Sequence, residues 1–356
     1  MAAASRTSGL LWLALVPATV VLEYWFPEHQ LFIFGVSCAA VVPLARLIGD
    51  ATSDLAAKIG DGLGGLLNAT FGNAAELIIG AFALRRGLTD LVKASLTGSI
   101  IANVLLVFGV AAIAGGIKRP IVKFNRTAAG LGTTMLLLSA IGVVVPAMFH
   151  LLARREAIAV ELQLDTEIAG VLFATYFLYL LFALKTHRDL YTATSAASEA
   201  HGPAGPAVLK LVLATAAVAV VSEALVGSVE VAAHAIGTTE LFAGVVVVAL
   251  VGNAAEHYSA VSLAWKGQMD AALQIAVGSS TQIALFVAPA LVFLSYVIGP
   301  SPMDLLFSVF EVTAVTLAVL IISFIAHDGE THWMEGVQLV AVYVILALAF
   351  FFLPAP

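Results

Sequence analysis

GNAAELIIG, Gly72–Gly80, and GNAAEHYSA, Gly252–Ala260, share five residues, and each sets one carboxylate, Glu76 or Glu256, inside a long apolar run. The two motifs stand 180 residues apart. Without a gap, the same offset pairs Gly87 with Gly267, Asp90 with Asp270, Gly98 with Gly278 and Ser99 with Ser279. Upstream, LIGD (Leu47–Asp50) resembles LVGS (Leu225–Ser228) when two residues of gap are allowed. Agreement over so long a stretch marks two structural repeats.

The medium follows from composition. Hydrophobic residues make up 61% of the 356 and charged residues only 11%. Soluble domains carry roughly 25% charge, so this chain cannot cover a globule with polar surface. An all-α polytopic membrane protein is expected. The opening residues, MAAASRTSGLLWLALVPATVV, superficially resemble a signal peptide. With no clear cleavage site and another apolar segment close behind, they read as a first transmembrane helix. Cys38 is the only cysteine, which excludes an intrachain disulfide and a cysteine-based metal site.

At about 20 apolar residues per span, helices are expected near 10–26, 31–47, 63–85, 91–117, 127–150, 167–185, 207–227, 240–265, 271–298, 303–326 and 334–353. ARLIGDATSDLAAKIGDG reads as an amphipathic extension of the second. The Ser-, Thr-, Gly- and Pro-rich stretch 186–206 is a linker. The expected divisions are an N-terminal transmembrane helix over 1–30, a first five-helix repeat over 31–185, the linker, and a second repeat over 207–356. Five is odd, so the second repeat enters the membrane from the opposite side. Inverted repeats of this kind place a transport site near the midplane, where broken helices meet.

Orientation follows from the basic residues. Arg6, Arg46, Lys58, Lys118, Arg119, Lys123, Arg126, Lys185, Arg188, Lys210 and Lys266 fall on one side, and Arg85, Arg86, Lys93, Arg154 and Arg155 on the other. The richer side is expected to be cytoplasmic. That puts the N-terminus and linker inside and the C-terminus outside, in a bacterial cell (inner) membrane.

A carboxylate within a bilayer is a functional hypothesis by default. Asn73 and Asn253 lie three residues before Glu76 and Glu256, on the same helix face. Gly72 and Gly252 precede them and permit a break that frees carbonyls toward a cavity. Two carboxylates with amide and carbonyl oxygens suit a hard cation such as Ca²⁺. The following helices add Ser95, Ser99 and Asn103 at a spacing of four, and Ser279, Ser280 and Gln282. For the serines, helix packing competes with a site role; for Asn103 and Gln282 the site role leads.

His257 breaks the repeat, since its counterpart is Leu77. It points away from Glu256's face, and a proton path and a polar helix contact are comparable readings. Glu230 is either a gate or proton entrance, or an interfacial acid without special role. HDGETHW (His327–Trp333) reads as a charged loop, not a metal site.

GLLNATFGNAAELIIGAFALRRG and VGNAAEHYSAVSLAWKG resemble the paired motifs of the cation/proton exchanger family, in the calcium/cation antiporter superfamily. SLTGSIIANVLLVFG, GSSTQIALFVAPALV, FALKTHRDL and the spaced Asp328–Gly329, Trp333 and Glu335–Gly336 match as well. The resemblance implies an eleven-helix fold and export of Ca²⁺ in exchange for H⁺. It implies Glu76 and Glu256 as the essential acids, with Asn73, Asn253, Asn103 and Gln282 near the ion. One departure is the linker, where many relatives carry an acidic cluster and this chain has only Asp189 and Glu199.

Competition of Ca²⁺ and protons for the two glutamates gives antiport without a separate proton site, with the first and sixth helices of the repeats expected to slide against a fixed core. A sodium-coupled exchanger is disfavoured because no Asp or Glu occurs from Ala271 to Ile298. Mn²⁺ and other divalent cations stay open, since oxygen cages are only moderately selective. No HExxH helix, Asp-rich motif or nucleophile with a base supports an intramembrane enzyme. A channel is disfavoured by paired protonatable acids. No resident cofactor and no nucleic-acid partner is expected; the partners are Ca²⁺, protons and the bilayer, with a second copy of the chain left open.

Overall fold

A computed structural model describes residues 12–59, 61–152, 158–187 and 203–353. Arg6, Arg154, Arg155, Arg188, Asp189, Glu199 and most of the expected linker lie outside the described residues.

The described chain is helical almost throughout. In order come α1 (Leu15–Trp25), α2 (Gln30–Ile59), α3 (Asp61–Phe71), α4 (Ala74–Arg85), α5 (Thr89–Gly116), α6 (Arg126–Leu152) and α7 (Val160–Thr186). The second half holds α8 (Gly205–Ala235), α9 (Glu240–Gly252), α10 (Ala254–Trp265), α11 (Met269–Ile298), α12 (Val309–Ile325) and α13 (Trp333–Phe352). Seven of these are long and apolar enough to cross a membrane alone. The pair α9/α10 makes one span bent by 60°. With α3/α4 as its counterpart and the shorter apolar helices α1 and α12, the described residues give the eleven expected segments.

Packing is reciprocal between the repeats. The leading helices α2 and α8 lie together, α12 lies on α6, α7 packs on α11 and α13 on α5. The second half of α5 holds α10, and the second half of α11 holds α4. A two-fold relation produces such an exchange of neighbours, and an odd number of spans per repeat makes it an inversion. Local geometry repeats too. Gly87 and Gly267 both turn with positive φ, +77° and +86°, a region open to glycine at little cost. A π-helical turn widens α5 at Ala102–Val107 and α11 at Ile283–Val287, a feature that often marks functional sites.

Several expected boundaries shift. α2 absorbs the amphipathic extension and runs to Ile59, where Lys58 Nζ donates to the Pro203 carbonyl (2.9 Å). α8 continues past the expected 227 to Ala235, and α7 begins before 167. The helix expected at 303–326 begins only at Val309. Residues 302–308 are non-helical although Met303, Leu305 and Phe307 are buried. Non-helical backbone at such depth needs partners for its polar groups, and side chains supply them. Ser295 Oγ accepts from Met303 N (2.7 Å), Asp165 Oδ2 accepts from Leu305 N (3.0 Å), and Lys93 Nζ donates to the Leu306 carbonyl (3.0 Å). Ser308 and Glu311 then form a reciprocal cap that starts α12.

HDGETHW is structural, as expected. Glu330–Thr331 (β2) pairs antiparallel with Val122–Lys123 (β1), and His332 with Glu335 caps α13.

Candidate ion-binding site

The site begins with two interruptions. α3 stops at Phe71 and α4 starts at Ala74; α9 stops at Gly252 and α10 starts at Ala254. Asn73 and Asn253 occupy the breaks with nearly equal backbone angles, φ −101° and −93°, ψ 22° and 7°. A side chain at Gly72 would lie 2.6 Å from the Asn68 carbonyl oxygen, so the break requires glycine there. Glu76 and Glu256 fall in the first turns of α4 and α10, where the helix dipole favours negative charge.

Side chains from opposite repeats then meet. Asn73 Nδ2 donates to Gln282 Oε1 of α11 (2.6 Å), and Asn253 Nδ2 donates to Ser99 Oγ of α5 (2.9 Å). Asn253 Nδ2 also donates to the Ala249 carbonyl (3.0 Å). Glu76 and Glu256 stand at equivalent positions on the two sides of this meeting. Glu76 reaches the other repeat's break: its Oε1 lies 3.4 Å from where a Cβ on Gly252 would stand. Glu76 Oε2, Glu256 Oε2 and Asn253 Oδ1 are buried and have no hydrogen-bond partner. Three acceptors in this condition are costly unless something donates to them or binds them. A proton on each acid or a hard cation among the oxygens does so.

Nearly all the residues expected from sequence gather here. His257 Nε2 lies 3.1 Å from Asn103 Oδ1, a polar contact between α10 and α5. Ser280 Oγ bonds the Ala276 carbonyl (2.9 Å) within its own helix, which is the packing role. Glu230 stands apart. It is exposed near the end of α8, with ligand atoms of His234 and Glu240 within 4.8 Å.

Sequence reasoning missed a second polar cluster. Lys93 is buried in α5 and its Nζ meets Asp90 (3.0 Å) and Asp304 (3.2 Å). One turn on, Thr97 donates to buried Glu311 (3.2 Å). The local signal was a lysine early in an apolar span with Asp90 three residues before it; Asp304 and the Leu306 carbonyl lie more than 200 residues away.

The model of the family described as "Sodium/calcium exchanger protein" matches residues 29–185 and 206–352. The chain belongs to that family. The two matched stretches coincide with the two repeats. Among relatives, a Ca(2+)/H(+) antiporter of Synechocystis is 42% identical over 349 residues, covering 93% of this chain and 94% of that protein. The Ca(2+)/H(+) antiporter ChaA of Bacillus subtilis is 42% identical over 357 residues, covering 98% and 100%. The solved structure of native YfkE superposes with a TM-score of 0.83 at 40% identity, covering 97% of this chain and 99% of that one. The H+/Ca2+ exchanger CAX shares the fold at 14% identity, with a TM-score of 0.73 over 97% of this chain and 92% of its own. The resemblance to cation/proton exchangers read from the GNAAE motifs is borne out by these relatives.

Proposed function

We propose that the protein is a secondary antiporter that exchanges Ca²⁺ for H⁺ across the membrane, and that both ions use Glu76 and Glu256. The observation that carries the site assignment is the pair of buried, unpartnered carboxylate oxygens at equivalent positions of two repeats. An ionised pair shut from water is costly. Either two protons or one divalent cation neutralises it, so each ion displaces the other and the empty, doubly charged state is avoided. That exclusion couples the fluxes. Asn253 and Asn73 supply further amide oxygens, with Ser99 and Gln282 holding their amide hydrogens. Asn103, braced by His257, lines the same region.

Export from the cytoplasm, with the linker and N-terminus inside, agrees with the distribution of Lys and Arg. The bacterial cell membrane is the setting that fits the prokaryotic relatives. A sodium-coupled exchanger is the second reading, since the family's name covers it. It is disfavoured by the lack of any Asp or Glu between Ala271 and Ile298.

Ca²⁺ uptake into proteoliposomes under imposed proton or sodium gradients tests the reading. Proton-driven uptake in wild type, lost in Glu76→Gln and in Glu256→Gln, is expected. Uptake driven by sodium alone, or near-normal flux in Glu76→Gln, would sink it.

A further inference from the structure

We infer that the junction of α10 and α11, with the end of α5 laid against it, is a binding site for a phosphoryl anion carried by an acidic phospholipid. Lys118, Arg119 and Lys266 come together there. Lys118 Nζ lies 3.9 Å from the centroid of the Trp265 ring. The Arg119 guanidinium seats over the backbone of Gly267, whose positive φ and missing side chain make the room: a Cβ at Gly267 would stand 2.5 Å from Nη2. Lys266 lies between these two contacts in sequence and is exposed.

The cations are not neutralised by the protein. Among the described residues no carboxylate forms an ion pair with Lys118, Arg119 or Lys266. Asp270, one turn beyond Lys266, accepts instead from the Asn125 backbone N–H. Arg119 Nη1 is buried without a hydrogen-bond partner, and none of its other side-chain nitrogens donates to a protein acceptor. A guanidinium nitrogen left without an acceptor is a donor that a phosphate oxygen would satisfy.

The position selects the source. Trp265 and Trp333 are about half exposed at this end of the bundle, and a side chain at Gly116 would meet the Trp333 backbone, so both tryptophans mark one level. Tryptophans at headgroup height form interfacial belts, and basic pockets between transmembrane helices take anionic headgroups. The site lies on the more basic membrane face, on the elements that carry Glu256 and Ser279.

The full chain, purified and reconstituted in nanodiscs of phosphatidylcholine with graded phosphatidylglycerol, tests this by native mass spectrometry of retained lipid. Wild type is expected to retain phosphatidylglycerol, and Arg119→Gln to lose about fivefold in affinity, as does each of the exposed variants Lys118→Gln and Lys266→Gln. The lysine variants keep the test decisive if Arg119→Gln fails to fold. A second arm follows thermal stability in inorganic phosphate. Stabilisation of wild type by phosphate alone, absent in the variants and without lipid preference, assigns the site to a free anion and overturns the lipid. Equal lipid retention by wild type and all variants overturns the site itself.

Discussion

Asn253 commits its amide hydrogens to Ser99 Oγ and to the Ala249 carbonyl, and this fixes which way its oxygen faces. Oδ1 is then the group left over, buried beside two acids. Ser99 acts through Asn253, so its loss should loosen the amide without removing a charge. Ser99→Ala is expected to weaken apparent Ca²⁺ affinity about fivefold while leaving thermal stability within about 1 kcal/mol; Ca²⁺ titration by calorimetry checks the first and a thermal melt the second. The acids, amides and hydroxyls were legible in the sequence because a polar residue in an apolar span is a local anomaly. Their pairing was not. Asn73 with Gln282 and Asn253 with Ser99 are contacts across 209 and 154 residues, which no periodicity encodes. Lys93 shows the same limit, since its burial depends on Asp304 and the Leu306 carbonyl. Lys93→Met leaves that carbonyl without its donor and is expected to cost about 2 kcal/mol in a thermal melt. The partial exposure of Asp90 and Asp304 keeps the loss below that of a fully buried pair.

Between elements, the two repeats differ in one contact. At Gly98 of α5 a Cβ would lie 1.9 Å from the Val245 carbonyl oxygen, so α9 is packed backbone to backbone on α5. Gly278, the same position in the second repeat, has no described residue within 4 Å of where a Cβ would stand. Its counterpart partner, α3, packs among the described residues on α2 and the end of α7. Among the described residues, one side of the site is thus closed by a glycine contact and no equivalent contact closes the other. If the repeats exchange roles during transport, α3 must close over Gly278 as α9 now closes over Gly98. Gly278→Leu should then fold and bind Ca²⁺ yet fail to exchange it, because the second seal cannot form. Full exchange by Gly278→Leu would defeat this reading. Gly98→Ala should instead lower stability, since the seal already made would be forced apart. Helix boundaries show why elements were read less well than residues. DLLFSVF extends the apolar pattern of α12 backward, but Ser308 caps at Glu311 and Asp165 Oδ2 takes the Leu305 N–H out of any helix. The tertiary anchor joins residues 140 apart, which no local pattern encodes.

For the whole molecule, the offset of 180 residues carried the architecture, because an inverted pair with five spans each follows from counting. Coupling as proposed is also a property of the whole, since it takes an acid and an amide from each half. If both acids must lose a proton for Ca²⁺ to bind, binding releases two protons. Apparent Ca²⁺ affinity should then fall by up to about 100-fold for each unit of decreasing pH in the range where both acids are protonated. With a single releasable proton the fall is limited to about tenfold. Calorimetric titration of Ca²⁺ across a pH series, in buffers of different ionisation enthalpy, counts the protons released directly. A count near two in wild type and near one in Glu256→Gln would assign one proton to each repeat. A count that does not change in the variant would mean that a different group carries the proton, and the competition scheme would fail while the cation site could stand.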